Sequence, residues 1–363
     1  MPVIELPIKN KKGTYFIKKE NELVETSGLV DLQVNGFGGV DFNSPGLSPE
    51  LFQHSLESML ASGVSTCLPT VITGSEKHMK SCLSDLENCR ESIPLAKLMV
   101  AGYHLEGPFL SKLEGFSGCH PTKHMCDVDH EMFLRLQEAA NGNIQMVTLA
   151  PEIEGSIEFI EKLASDEIIV ALGHTNASYE KIGRAVDAGA SISTHLGNGT
   201  ASKIFKNKNP IISQLSEDKL SASFIADGFH LSPEVLKVYL RAKGSERIIL
   251  VTDATAGASA PPGQYQFGDL ELLVGSEPVI LHKDTSRPIG SAVTMDQCVR
   301  NVINWYDISL SEAVRWAGIN AQKLLNRSKK LSFIANKKKV WWKEEDGSWH
   351  VNKVQCGNFI YSK

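Results

Sequence analysis

Residues able to bind a metal or move a proton follow several apolar, strand-like runs of this sequence. Glu106, His174 and His195 each come at the end of a different run, and Asp253 lies near the end of another. One carboxylate and two imidazoles are the ligand set of a catalytic zinc site that keeps an open position for water. Such a metal lowers the pKa of its water, and Asp253 is left as general base and later acid. The sequence therefore predicts metal-assisted hydrolysis.

Each of these residues also has a purely structural explanation. A single histidine at a strand end is more often hydrogen-bonded in a core than bound to a metal. Glu106 could cap a helix, and Asp253 could close a turn. Asn35 and His230 extend the pattern to six polar residues at the same end of different strands. Packing explains such a set poorly, so we favour the functional interpretation.

The first strand-like run, LVDLQV, ends in amides where many barrel hydrolases carry two metal-binding histidines. Gln33 and Asn35 are two residues apart, so in a strand they point to the same face. Neutral amides cannot replace imidazoles at a second cation. We therefore predict one divalent metal ion per chain, zinc first, with iron, manganese or cobalt as open alternatives for such ligands.

Strand-like runs alternate with helical patterns along most of the chain. Two of the helices begin with Ser-Pro-Glu, in which serine caps the helix and proline suits its first turn. Eight alternations predict an α/β fold, a (β/α)8 barrel whose C-terminal face gathers the polar residues, with an open doubly wound sheet as the alternative. The runs are residues 29–34, 64–72, 98–105, 144–151, 168–175, 191–198, 221–228 and 247–254.

The domain division follows the same patterns. We expect the hydrolase barrel over residues 28–327 and a small β-sandwich-like domain built from both termini, residues 1–27 and 328–363. The C-terminal segment carries Asp346-Gly347, a hairpin turn signal. Residues 262–290 interrupt the alternation and predict β-hairpins inserted after the last barrel strand. Helices are expected at about 294–305 and 310–325.

Composition sets limits on partners and compartment. The chain has 363 residues, 42% hydrophobic, with a formal net charge of -5, which gives no electrostatic footprint for nucleic acid. A membrane role is equally unsupported, since no apolar run is long enough to span a bilayer. The seven cysteines form no CxxC pair, and the N-terminus lacks the apolar core of a signal peptide. We expect a cytoplasmic protein with free thiols.

Six motifs resemble those of the N-acetylglucosamine-6-phosphate deacetylase family in the amidohydrolase superfamily, from about Gly28 to Leu325. They are HLEGPFL (104–110), GHTNASY (173–179), STHLGN (193–198), DGFH (227–230), VTDATAG (251–257) and GSAVTMD (290–296). The resemblance implies hydrolysis of the acetamide of an N-acetyl amino sugar, foremost N-acetylglucosamine-6-phosphate, to acetate and the amino sugar phosphate. It also implies a homodimer.

The resemblance assigns roles to individual residues. Glu106, His174 and His195 would bind the single metal, and Asp253 would be the catalytic acid/base. His120 would orient or polarise the acetyl carbonyl, with an ordinary loop histidine as the alternative. The residues implied in substrate binding are Cys119, Asn198, Gly199, Lys206 and His230, the last four at the phosphate.

Two departures from the family pattern concern the substrate. THLGNGT stands where the family usually reads THLYNAM or THLFNAM, so the pocket wall near the sugar differs. Lys206, or Lys208 if the next proline is the anchor, replaces the family's phosphate-binding arginine, and a solvated lysine is the alternative. An amidohydrolase of another N-acyl or cyclic amide therefore stays open, as does an inactive binding barrel, which the retained Asp253 and ligands disfavour.

Overall fold

The computed structural model describes residues 4–10, 13–20, 22–268, 270–275, 280–282, 289–327 and 337–363. The strands are β1 (Ile4–Asn10), β2 (Gly13–Glu20), β3 (Leu23–Ser27), β4 (Leu29–Val34), β5 (Gly36–Phe37), β6 (Val40–Asp41), β7 (Val64–Ile72), β8 (Tyr103–Glu106), β9 (Ile144–Leu149), β10 (Ile169–Leu172), β11 (Ile192–Ser193), β12 (Ser221–Ile225), β13 (Ile248–Val251), β14 (Gly263–Phe267), β15 (Leu270–Val274), β16 (Ile280–His282), β17 (Lys338–Glu345), β18 (Ser348–Cys356) and β19 (Phe359–Ser362). The helices are α1 (Pro49–Ala61), α2 (Glu76–Ser92), α3 (Pro94–Met99), α4 (His130–Ala139), α5 (Ser156–Ser165), α6 (Tyr179–Ala188), α7 (Pro210–Ser216), α8 (Pro233–Lys243), α9 (Met295–Tyr306), α10 (Leu310–Val314) and α11 (Asn320–Leu325), with a π-helical turn over Arg315–Ile319.

Eight parallel strands form the barrel, in the order β13-β12-β11-β10-β9-β8-β7-β4. Their residues are almost all buried, as expected for apolar runs covered on both faces. The first and last strands meet at their carboxyl ends, where the Asp253 N–H donates to the Gln33 carbonyl at 2.9 Å and the Asn35 N–H to the Ala254 carbonyl at 2.7 Å. The predicted barrel is confirmed over the open sheet.

The helices begin as their sequences predict. Ser48 accepts a hydrogen bond from the Leu51 N–H at the start of α1, and Ser232 does the same for Val235 at the start of α8. A proline follows each cap at the first helical position, where its missing N–H costs nothing. These caps fix the point where each helix leaves the barrel mouth and turns back along the outside.

A six-stranded antiparallel sheet lies beside the barrel, in the order β1-β2-β3-β17-β18-β19. Strand β3 pairs with β17, so the two ends of the chain share one sheet, as predicted. Asp346 and Gly347 both have positive φ, 50° and 76°, which suits the hairpin turn between β17 and β18. The division at residues 27/28 and 327/328 stays a prediction, because residues 328–336 lie outside the described part.

The segment after the barrel agrees with the sequence, whereas one earlier strand does not. Strands β14, β15 and β16 form a three-stranded antiparallel sheet within residues 262–290, and α9 to α11 follow. The run at 98–105 was predicted as strand throughout, but α3 occupies Pro94–Met99. Pro94 suits the first turn of that helix, and the barrel strand begins only at Tyr103. None of the described helices is long and apolar enough to cross a membrane.

Candidate active site

A cavity of about 1170 Å³ opens at the carboxyl ends of the barrel strands. Active sites of such barrels lie at this face. Nine of the ten residues predicted for the site line the cavity, whereas Lys206 is exposed on the loop after β11 and does not line it. The nine are Glu106, Cys119, His120, His174, His195, Asn198, Gly199, His230 and Asp253.

Glu106, His174 and His195 converge at the base of the cavity. Oε1 of Glu106 lies 3.0 Å from Nε2 of His195 and 3.4 Å from Nε2 of His174, and all three side chains are buried. The ligand atoms of the three residues lie within 4.8 Å of one another, so this group could hold a metal ion. They come from the ends of three different strands, β8, β10 and β11, as the sequence predicts.

The hydrogen bonds of His174 prepare it to act as a ligand. Its Nδ1 lies 2.9 Å from the carbonyl oxygen of Phe116, which can only accept, so Nδ1 carries the hydrogen. Nε2, which has no hydrogen-bond partner among the described residues, is then the nitrogen whose lone pair could bind a metal. A backbone carbonyl that fixes the tautomer of a ligating histidine is the usual outer partner in metal sites.

The charges of the cluster are strongly coupled. Burial alone would raise the pKa of Glu106, but the neighbouring imidazoles of His195 and His174 lower it well below its usual value. Burial opposes protonation of His195, yet its hydrogen bond to Glu106 raises the pKa of His195 to about 9. The buried carboxylate is therefore ionised, and its charge must be balanced either by protonated His195 or by a metal ion.

Three residues of the site have left-handed backbone conformations. The φ angles of His174, His195 and Asp253 are 50°, 28° and 49°. Such angles are uncommon for residues with a side chain and cluster at functional sites, where the surrounding structure enforces them. In each case the chain turns sharply as a barrel strand ends, and this turn aims the side chain into the cavity.

Asp253 is held by the first strand. Nδ2 of Asn35 donates to Oδ1 of Asp253 at 2.7 Å, and the Asp253 N–H donates to the Gln33 carbonyl. Burial raises the pKa of the Asp253 carboxyl, which favours its action as a proton carrier. Asn35 thus orients the Asp253 carboxylate. Among the described residues, the buried side-chain amide of Gln33 has no hydrogen-bond partner.

His120 lies beside the metal group. Its Nδ1 is 2.9 Å from the hydroxyl of Thr73, so Nε2 faces Glu106, 3.7 Å from Oε2. Burial lowers the pKa of His120 to about 3 and keeps the ring neutral. Thr73 follows directly after β7, so its position at a strand end is a signal for this site. A threonine hydroxyl at that position is a weaker chemical signal than a carboxylate, an imidazole or an amide.

Two glycines let the surrounding loops pack against the His174 ring. A Cβ atom at Gly118 would lie 2.7 Å from Cε1 of His174, and one at Gly199 would lie 2.5 Å from the same atom. Gly199 also has a φ of 57°. The second glycine of THLGNGT, Gly199, is therefore required, because this loop lies so close to the His174 ring.

The cavity lining also includes polar residues from the loops after β11 and β12, here called the polar wall. They are Gly199, Thr200, Ser202, Lys203 and His230. The N–H of Asn198 donates to the His195 carbonyl at 3.0 Å, so this amide is already engaged within the turn. Lys203 was not identified from the sequence, because alignment to the family's arginine pointed three or five residues further along the loop.

An eight-stranded parallel barrel with this Glu-His-His group and Asp253 at its carboxyl end is the architecture of the metal-dependent amidohydrolases. No family model matches the chain. It is 30% identical over 323 residues to the N-acetylgalactosamine-6-phosphate deacetylase of a Shewanella species, covering 88% of this chain and 79% of the relative. It is 30% identical over 295 residues to the N-acetylglucosamine-6-phosphate deacetylase of Haemophilus influenzae, covering 81% and 75%.

Solved structures agree. A variant of N-acetyl-D-glucosamine-6-phosphate deacetylase from Mycobacterium smegmatis, in complex with N-acetyl-D-glucosamine-6-phosphate, is 28% identical with a TM-score of 0.81, covering 91% of this chain and 84% of that chain. The Pasteurella multocida N-acetylglucosamine-6-phosphate deacetylase is 26% identical with the same TM-score, 0.81, covering 93% and 86%. The chain belongs to the N-acetylglucosamine-6-phosphate deacetylase family, as its motifs indicate.

Proposed function

We propose that this chain hydrolyses the acetamide of an N-acetyl amino sugar 6-phosphate, foremost N-acetylglucosamine-6-phosphate. The products are acetate and the amino sugar phosphate. The observation that carries the proposal is the placement of Asp253, His120 and the Glu106 group around one cavity at the barrel mouth. The names of the relatives, which include both glucosamine and galactosamine phosphates, support the substrate class.

The donor set fits a single divalent metal, zinc first. Glu106 is ionised, His174 has its tautomer fixed by Phe116, and Nε2 of His195 points to the same carboxylate oxygen. One carboxylate and two imidazoles, with the remaining position open, are a known catalytic zinc arrangement. When bound, the metal supplies Lewis-acid activation of water and of the acetyl carbonyl.

The residues of the chain supply the proton transfers. Asp253, fixed by Asn35, accepts a proton from the attacking water and gives it to the amine nitrogen as the C–N bond breaks. Nε2 of neutral His120 faces the same space and contacts the carbonyl of the substrate. Oxygen from water ends in acetate and the proton ends on the leaving amine, so the reaction is balanced without another reactant.

The polar wall is the proposed phosphate end. Lys203 and His230 are the cationic or ionisable groups that line it within the described residues, and Gly199 offers a backbone amide nearby. Charge-assisted hydrogen bonds from such groups are the strong ones for phosphate. We retain Lys206 as the family-derived phosphate ligand, although it is exposed and does not line the cavity. We add Lys203, which does line the cavity, as the alternative phosphate ligand.

We also propose that the protein is a cytoplasmic homodimer. The seven cysteines are all free thiols, which supports a reducing compartment. Large apolar side chains are exposed on the loops after β11 and β12 and on α8, and such surfaces suit subunit association. They are Phe205, Phe229 and Val238, 80%, 46% and 61% exposed. Sedimentation analysis would test the dimer.

The function is tested by measuring acetate and free amine after incubation with N-acetylhexosamines, each with and without a 6-phosphate. We expect equal amounts of acetate and amine from N-acetylglucosamine-6-phosphate, and none from the Glu106→Gln variant. Release of another acid from a different N-acyl or cyclic amide, with no acetate, would instead favour the alternative amidohydrolase. No turnover of any of these substrates by a metal-loaded protein would favour a binding barrel.

A further inference from the structure

The segment DGFH after β12 contains a carboxylate and an imidazole in direct contact. Oδ2 of Asp227 lies 2.6 Å from Nδ1 of His230. Oδ1 of the same carboxylate accepts hydrogen bonds from the backbone N–H groups of Phe229, at 2.9 Å, and His230, at 3.0 Å. The Asp227 side chain is only 2% exposed, so these contacts are sheltered from water. Asp227 therefore both folds this loop and holds the ring.

The contact determines which nitrogen of His230 carries hydrogen. Burial alone would raise the pKa of Asp227, but its bonds to His230 and to two backbone amides lower it, so the carboxylate is ionised. An ionised carboxylate only accepts hydrogen bonds, so Nδ1 of His230 carries a hydrogen. Nε2 is the remaining nitrogen of a ring that lines the cavity. It can donate a hydrogen bond there only when the ring is a cation.

We propose that Asp227 is a positioning residue that makes His230 present a cationic Nε2–H donor to the phosphate of the substrate. This inference rests on the proposed function. A phosphate dianion has only acceptor oxygens, so it selects the imidazolium, and the buried Asp227 carboxylate compensates the charge of that cation. Phosphate binding therefore favours the cationic form of the ring.

Other charged groups act on the same ring. Asp253, which follows β13, interacts electrostatically with His230. Lys203, on the loop after β11, and Glu114, on the loop after β8, line the same cavity. The second ionisation of a sugar phosphate lies near pH 6, so the substrate is a dianion above pH 7.

The Asp227→Asn variant separates this role from loop folding. Its Oδ1 can still accept the two backbone hydrogen bonds, while its amide N–H groups face Nδ1 of His230. The ring must then be neutral with its hydrogen on Nε2. We expect the KM for N-acetylglucosamine-6-phosphate to rise roughly tenfold at pH 7, with kcat within about twofold and little change for N-acetylglucosamine.

Asp296→Asn is the matched control. Asp296 is also a nearly buried carboxylate in an ion pair, 2.7 Å from Arg300, but it lies on α9 and does not line the cavity. The Asp296→Asn variant should leave both KM values unchanged. His230→Gln should raise KM like Asp227→Asn, and the double variant should cost no more than either single one, since both remove the same cation. If the effects of the two single variants on KM instead multiplied in the double variant, Asp227 and His230 would act independently and the inference would be contradicted.

Two-bond ¹H–¹⁵N spectra of the histidine rings test the inference without turnover. In the unmodified protein, His230 should have hydrogen on Nδ1, and added inorganic phosphate should shift the ring toward the imidazolium. In Asp227→Asn, the hydrogen should move to Nε2. An unprotonated Nδ1 in the unmodified protein would overturn the inference, as would a ring that phosphate leaves unchanged. Absence of acetate release alone would reject the proposed function and leave this proton assignment standing.

Discussion

Proton transfer by Asp253 is the residue-scale step on which the proposed chemistry depends. Its carboxylate is partly buried, hydrogen-bonded to Asn35, and outside the group that would hold the metal. Asp253→Asn should therefore retain the metal but lower kcat by roughly 10²–10⁴-fold, the usual contribution of general acid–base catalysis. Steady-state kinetics with elemental analysis of the same samples would check this. A near-normal kcat would remove Asp253 from the mechanism.

The phosphate contact distinguishes two lysines. Both lysines are exposed, but Lys203 lines the cavity and Lys206 does not. Lys203→Ala should raise the KM for the phosphorylated sugar roughly tenfold, with kcat nearly unchanged, because a ground-state contact is lost. Lys206→Ala is the matched control, since it removes the same charge from the same loop. If Lys206→Ala has the larger effect, the family-derived assignment is right and the structural one is wrong.

At this scale the sequence predicted the positions of the reactive groups but not their partners. Glu106, His174 and His195 were recognisable because each ends a strand-like run, and all strands of a parallel barrel end at the same mouth. The contact between Asn35 and Asp253 spans 218 positions, and no local pattern encodes it. The left-handed φ angles of the site residues are likewise imposed by the assembled barrel.

Closure of the barrel is the element-scale feature that supports Asp253. Asp31, fully buried in β4, accepts a hydrogen bond from the hydroxyl of Thr252 at 2.5 Å and from its N–H at 3.2 Å. Thr252 immediately follows β13 and precedes Asp253. The Thr252 hydroxyl also accepts a hydrogen bond from the Ala254 N–H at 3.1 Å, so hydrogen bonds lie on both sides of Asp253 and connect the first strand to the last.

The Asp31 carboxyl should make stability depend on pH. Burial raises its pKa to about 7, above the value of about 3.9 expected in the unfolded chain. Folding thus favours the neutral form of Asp31. The contribution of this carboxyl to the free energy of unfolding is therefore full below about pH 4 and is lost as the pH rises through 7. Each pH unit within this window costs at most about 1.4 kcal/mol.

Asp31→Asn tests this directly, since an amide cannot ionise. From pH 5 to pH 7 the free energy of unfolding of the unmodified protein should fall relative to the variant by roughly 2–3 kcal/mol. Urea unfolding at both pH values measures the difference, and the other titrating groups, common to both proteins, largely cancel. If the free energies of unfolding of the two proteins change with pH in parallel, Asp31 stays ionised in the folded protein and its burial does not make stability depend on pH.

Most elements were predictable from the sequence because their signals are local. Ser48 and Ser232 cap helices where Ser-Pro-Glu occurs, and the Asp346-Gly347 pair turns a hairpin. The helix at Pro94–Met99 was missed because six residues are too few to show helical periodicity, and its apolar residues continue into the next strand. Pairing of β3 with β17 needs the folded molecule, although alternation at both ends suggested it.

Metal content is a property of the whole molecule. Gln33 and Asn35 leave donors for one ion, so protein purified without added metal should carry about one tightly held divalent ion per chain. Glu106→Gln should empty the site, because the ligand that carries the negative charge is lost. Elemental analysis checks both statements, with Asp296→Asn as a control that keeps the ion. Two tightly bound ions per chain would contradict a single-metal site.

The most direct test of the account compares two substrates on the unmodified enzyme. It measures kcat/KM for acetate release from N-acetylglucosamine-6-phosphate and from N-acetylglucosamine under the same conditions. The proposed function predicts that kcat/KM is higher for the phosphorylated sugar by roughly 10²-fold or more, about 2.7 kcal/mol. Equal values, or acetate released only from the sugar without phosphate, would contradict it and leave the barrel and its metal group to act on a different substrate.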